Sequence, residues 1–234
     1  LFRAIGIVAD AASYRNANHR MIWLARHGET TWNLGGRYQG RMESALTGLG
    51  VRQGFALADY FAERLARGEP VPARVISSPL IRCAATARFT AQRLGLTLET
   101  DPRLIEIAHG TWDGRFRDEI AANDPLRYRT WREDPANVSF EGGESLTDVL
   151  ARWRSVASAL AATTEDILVV THDAVVRCAL VDLQGRPLDD FWKNPVENAA
   201  FAILSNDGKS LQIVNPFSTD HLKGLRADVK SQAL

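Results

Sequence analysis

Four short apolar runs alternate with longer segments of helical period: MIWLA (21–25), ARVI (73–76), LTLE (96–99) and DILVV (166–170). After the first, Leu57, Phe61 and Leu65 recur every four residues until Gly68 stops the period. After the second, Ser78 and Pro79 predict the N-cap and first position of a helix running to Leu94, with Gly95 as its stop. Leu146, Val149, Leu150, Trp153, Val156 and Leu160 mark one apolar helix face, and AVVRCALVDLQG predicts a further helix ending at Gly185. Finally, AFAIL and LQIV flank SNDGKS, the pattern of a hairpin closed by an Asn-Asp-Gly turn.

Strands that alternate with helices build parallel crossovers, and a terminal hairpin adds an antiparallel edge. The expected fold is therefore α/β: a three-layer α/β/α sandwich around a mostly parallel sheet. Residues 101–143 interrupt the alternation, with short helical stretches near 117–122 and 125–132, and are expected to form an insertion that caps a site. The chain has 234 residues and no low-complexity linker, so one domain over 21–234 follows, preceded by an extension over 1–20. The apolar stretch of that extension is broken by Asp10, which does not fit a secretory signal.

Charge narrows the partners. Lys plus Arg and Asp plus Glu both number 28, and this balance speaks against nucleic acid as the main partner. A local basic pocket for one small anion stays open, as does a homodimer. No apolar run approaches the length of a membrane span. The only cysteines, Cys83 and Cys178, lack metal-binding or redox spacing and read as reduced thiols of a cytoplasmic protein.

In open parallel sheets, ligands bind beyond the carboxyl ends of the strands. Arg26 and His27 follow the first run, Ser77 and Ser78 the second, with Arg82 in the first turn of the next helix. Thr171 and His172 follow the fourth run, again at a helix start. Two guanidinium groups, two imidazoles and two helix N-termini thus converge, and the ligand that suits them is phosphate. No metal motif accompanies the five histidines, so neither metal nor other cofactor is expected; side chains alone would neutralise the dianion. An imidazole nitrogen can then attack phosphorus in line.

These residues resemble the histidine phosphatase superfamily, the phosphoglycerate mutase-like family. The likeness runs from about Met21 to Phe217 through RHGETTWN, RYQGRMESALTGLG, SSPLIRCAATA, LIEIAHGTWDG, GGES and VVTHDAVVR, in that order. The resemblance implies that His27 is the phosphorylated nucleophile. It also implies that Arg26, Arg82 and His172 grip the phosphoryl oxygens, helped by Asn33 and the amide of Asp173. Glu106 would give a proton to the leaving alkoxide and then act as base for water; a like charge beside it favours its protonated form. Asp173 departs from the family, which usually has Gly there. Its carboxylate is expected either to face away or to meet a cationic part of the substrate.

Two branches of the family compete for the substrate. The segment between Glu106 and the GGES motif is shorter and poorer in Pro than a cofactor-dependent mutase requires, which favours a phosphatase acting on a small phosphorylated metabolite. Within the phosphatases, EIAHG, WREDPANVSFEGGESL and the late FWKNPVENAAFAIL…DHLKG look most like the metal-independent phosphoserine phosphatases. By that likeness His109 and His221 contact the substrate. Gln39 and Gly40 read as a substrate contact or as an ordinary turn. A true mutase, a broad or sugar-phosphate phosphatase and a non-catalytic phosphate-binding module remain the alternatives. Trp112, Trp131 and Trp153 are expected to pack.

Overall fold

The computed structural model describes residues 19–228 and 232–233, so nearly all of the expected extension over 1–20 lies outside the described residues. In chain order the elements are β1 (Arg20–Arg26), α1 (Thr31–Leu34), α2 (Gly48–Ala66), β2 (Arg74–Ser77), α3 (Ile81–Leu94) and β3 (Leu98–Thr100). Then come α4 (Arg117–Asn123), α5 (Pro125–Glu133), α6 (Leu146–Ala161), β4 (Ile167–Thr171), α7 (Asp173–Leu183), β5 (Phe201–Asn206) and β6 (Leu211–Ser218).

The six strands form one sheet in the order β3-β2-β4-β1-β5-β6. β3, β2, β4 and β1 run parallel, whereas β5 is antiparallel to β1 and β6 to β5. Alternation along β1 and β4 sorts their side chains into two cores, because successive strand residues face opposite sides of a sheet. Met21, Trp23, Ala25, Leu168 and Val170 pack against Leu57 and Phe61 of α2 and against Cys83, Ala87 and Ala91 of α3. Ile22, Leu24, Ile167 and Val169 pack on the other side with Val149, Trp153 and Leu160 of α6 and Val175 and Ala179 of α7. The result is the expected three-layer sandwich.

Two helix starts compare differently with their sequence patterns. α6 begins as its sequence suggests: Ser145 caps it and forms a reciprocal capping box with Asp148. α3 begins two residues later than predicted, with Leu80 in the N-cap position and no side-chain cap. The Ser78 hydroxyl is engaged elsewhere, 2.8 Å from His172 Nε2 and 3.3 Å from the Leu80 amide. Among the described residues no helix is long and apolar enough to cross a membrane.

Candidate active site

β1, β2 and β4 are adjacent and parallel, so the residues after them meet at one edge of the sheet. His27 is pinned there by its backbone. Its amide donates to Thr171 O at 2.9 Å, and its carbonyl accepts from Ala199 N at 3.1 Å and Asn198 Nδ2 at 3.3 Å. The next residue must be glycine, since a Cβ on Gly28 would lie 2.6 Å from Gly50 O. This close approach seats the start of α2 against the loop. Thr30 then caps α1 through a capping box with Asn33, whose Oδ1 takes the Thr30 amide at 3.1 Å. RHGETTWN is thus a strand end, a backbone crossing and a pinned asparagine in eight residues.

Arg26, His27, Asn33, Gln39, Gly40 and Arg82 line one cavity. Glu106, His109 and Asp173 complete the named residues on its wall. Glu106 and His109 come from the 101–143 segment, as does Trp131, which packs with His109 and Phe140 edge-to-face as well as lining the cavity. Trp112 and Trp153 are buried packing residues.

The donors in this cavity are incompletely used. Arg26 gives Nη1 to Val196 O at 3.0 Å and Nη2 to Gln232 Oε1 at 2.9 Å. Arg82 gives Nη2 to Gly40 O at 2.7 Å and Nη1 to Met42 O at 2.8 Å. Gly40 presents that carbonyl from a left-handed turn (φ 47°) where a Cβ would strike the Asp113 carboxylate, 1.9 Å away. Arg26 Nε, Arg82 Nε and Asn33 Nδ2 are buried without a hydrogen-bond partner. Buried donors are normally paired, and three orphans on the wall of one cavity make a receptor for an oxyanion.

His27 Nδ1 lies 2.7 Å from Gly28 O, a contact only a protonated Nδ1 can make favourably, which leaves Nε2 with its lone pair. Burial, then Arg82 and Arg26, push the His27 pKa well below the usual imidazole value, so the ring is neutral at about pH 7. His172 stands edge-to-face beside it, ring centroids 5.3 Å apart, and is likewise held neutral by burial and by Arg82. His172 does not line the cavity; its Nε2 faces Ser78 Oγ and Cys83 Sγ. Glu106 accepts the Ile107 amide at 2.9 Å and the Ala174 amide at 3.3 Å through Oε1. Its pKa is raised, first by burial and then by the Asp173 carboxylate.

Two expectations require correction. His221 is not brought to the cavity: its ring stacks on Phe201 at 5.1 Å and Nε2 lies 3.0 Å from Ala199 O, behind the loop that carries His27. Asp173 does not face away: it lines the cavity and is already met by two arginines of the chain. Its Oδ2 accepts from Arg177 Nε at 2.6 Å and its Oδ1 lies 3.4 Å from Arg26 Nη1, so the chain supplies both of its cations. Arg177, Asn198 and Gln232 were not anticipated. Asp173 and Arg177 are four residues apart, a spacing at which helical side chains meet, and this was the available signal. Asn198 and Gln232, which join through Gln232 Nε2 and Asn198 Oδ1 at 2.7 Å, come from irregular segments that carry no such periodicity.

A mostly parallel sheet with a neutral imidazole, an acid and orphaned guanidinium donors beyond its strand ends defines a protein that handles a phosphoryl group. Residues 22–218 match the family model of the histidine phosphatase superfamily (branch 1). The chain is 33% identical to phosphoserine phosphatase 1 of Hydrogenobacter thermophilus over 201 residues, 85% of this chain and 92% of that one. It is 37% identical to glucosyl-3-phosphoglycerate phosphatase of Mycobacterium tuberculosis over 179 residues, 72% and 77% of the two chains. The solved structure of Bacillus stearothermophilus YhfR superposes with a TM-score of 0.79 at 28% identity, covering 87% of this chain and 99% of that one. The chain belongs to the histidine phosphatase superfamily, and it is a phosphatase enzyme of that family.

Proposed function

We propose that the chain hydrolyses a small phosphate monoester through a phosphohistidine on His27, without a metal ion. The observation that carries this reading is the ring of unpartnered donors on Arg26, Arg82 and Asn33 around an imidazole whose Nδ1 is tied to Gly28 O. His27 Nε2 forms the N–P bond as the ester P–O bond breaks, and the electron pair leaves with the alcohol oxygen. Glu106 protonates that oxygen. Water then attacks phosphorus, Glu106 takes its proton, the N–P bond breaks and inorganic phosphate leaves. Arg26, Arg82, Asn33 and the amide of Asp173 hold the phosphoryl oxygens. His172, one layer back, orients His27 through ring contact and reaches the phosphoryl group if its ring turns from Ser78.

The likeness to phosphoserine phosphatase over most of both chains, with His109 on the cavity wall beside Gln39 and Gly40, supports phosphoserine as the substrate. The buried, unpaired thiols of Cys83 and Cys178 fit a reducing compartment and support a cytoplasmic location. The test is a phosphate-release screen across small phosphomonoesters in the presence of EDTA, phosphoserine included. Turnover that survives EDTA and falls at least about 10³-fold in His27→Ala is expected. Activity that vanishes with EDTA, or that His27→Ala retains, overturns the mechanism.

A further inference from the structure

The Asp173 carboxylate is an unusual object in a phosphate site. It is buried, lies on the cavity wall and belongs to the first turn of α7, where a second anion would be expected to weaken phosphate binding. The chain nevertheless holds it firmly. Arg177 grips Oδ2, gives Nη1 to Asn194 O and places its guanidinium 5.1 Å over the Trp192 ring. Oδ1 has no hydrogen bond at all. The residue that follows, Ala174, donates its amide to Glu106, so the two carboxyl groups are brought to the same turn of α7.

Resting on the phosphohydrolase reading above, we propose that Asp173 is a positioning residue for proton transfer: its fixed negative charge keeps Glu106 protonated until the alkoxide needs the proton. The surroundings of Glu106 show what such a charge opposes. Arg26 from β1 and Arg82 from α3 both act on Glu106 and favour its ionised form. So does His109, on the same loop. His27 and His172 are neutral and add no charge. On the α6 side, Arg152 holds the carbonyls of Arg103 and Ile105 and is paired with Glu144. Burial is the first cause that keeps the Glu106 proton in place, and a neighbouring carboxylate is the second, both working against these guanidinium groups. Asp173 supplies that carboxylate, and Arg177 fixes it through Oδ2 while Oδ1 stays 3.4 Å from Arg26 Nη1.

The sign follows directly. A like charge raises the pKa of Glu106, so removing it lowers that pKa and moves the alkaline limb of acid-dependent catalysis toward lower pH. The experiment compares two esters by kcat/KM, which reports only steps up to loss of the alcohol. An alkyl phosphate, phosphoserine or glycerol phosphate, needs the proton. p-Nitrophenyl phosphate, whose phenol has a pKa of about 7, leaves without it. In Asp173→Asn the alkaline limb for the alkyl ester shifts down by about one pH unit, and on that limb the alkyl ester loses about tenfold more than the aryl ester. Asp173→Glu, which restores the charge, moves the limb back toward its original position.

Equal losses for the two esters, or an unmoved alkaline limb, overturn the proposal. If Asp173→Asn does not fold, Asp173→Ser carries the same comparison. Glu106→Gln separates the two readings. An alkaline limb that persists in Glu106→Gln defeats the assignment of Glu106 as the acid. A limb that disappears there but does not move in Asp173→Asn defeats only the role of Asp173.

Discussion

Two cavities among the described residues are lined by arginines, and they differ in whether they are built to hold an anion. The second lies between α6 and the β3–β2 edge of the sheet, with Arg74 and Arg103 on its rim and Ile76, Leu104, Val156 and Val169 along its wall. There each guanidinium is already answered. Arg74 makes two bonds to Glu99, at 2.8 and 2.7 Å, and Arg103 makes a similar fork to Asp101, at 3.0 and 2.6 Å. The arginines in turn hold the Glu99 and Asp101 carboxyls below the ordinary range. In the candidate active site Arg26 and Arg82 give the hydrogen bonds of their terminal nitrogens to carbonyls and an amide oxygen, Arg26 adds only a longer 3.4 Å contact to the Asp173 carboxylate, and both keep Nε unpaired. Positive residues alone do not make a phosphate site; donors held in place and left unspent do.

That contrast is most exposed to one pair of substitutions. Arg82→Ala is expected to lower kcat/KM by about 10²–10³-fold, the effect of removing a fixed donor from a developing oxyanion. Arg74→Ala removes an equally well-bonded arginine and is expected to change kcat/KM by about threefold or less, because its ion pair is a half-exposed structural one. Comparable losses in the two variants, measured on the same ester, would remove the distinction between the cavities.

A smaller effect probes how the unspent donors are held. Asn198 Nδ2 lies 3.2 Å from Asn33 Oδ1, fixing the amide so that Asn33 Nδ2 is presented rather than turned inward. Loss of one such buried bond is expected to cost about tenfold in kcat/KM for Asn198→Ala, with a parallel weakening of inhibition by inorganic phosphate. A fall in thermal stability with unchanged phosphate inhibition would make Asn198 a scaffold residue only.

Much of the fold was legible because its signals are local and repeated. Alternation in MIWLA and DILVV carries the two-sided burial of central strands, and the four-residue period of Leu57 and Phe61 carries the buried face of α2. The convergence of Arg26, His27 and Arg82 followed from their places after parallel strands. What the sequence concealed depends on contacts between distant segments. Ser78 looks like a cap, yet its hydroxyl faces His172, 94 residues away. His221 has the position of a substrate ligand, but the hairpin carries it to Ala199 instead. Asp173 could be seen as a misplaced charge, whereas its pairing with Arg26 requires β1 and β4 to be neighbours. Gln232 reaches Arg26 across 206 positions, and no pattern near it announces the contact.

The smallest expected effect concerns that displaced histidine and separates acid loss of the scaffold from acid loss of the site. Burial lowers the His221 pKa to about 4, against a bond to Ala199 O that raises it. Its unfolded-state value is about 6.5, so between about pH 6.5 and 4 the unfolded chain binds the proton more readily than the folded one. The stability contributed by the neutral ring is therefore present above about pH 6.5 and is lost as pH falls toward 4. His221→Phe keeps a flat ring against Phe201 and removes the titration. The drop in Tm between about pH 7 and pH 5 should then be smaller in the variant by about 3–6 °C, corresponding to about 1–2 kcal/mol. His27 and His172, held neutral by burial and Arg82, remain in the variant and keep part of the acid sensitivity in place. If the two Tm profiles run parallel through this range, His221 is not the group whose protonation loosens the loop behind His27.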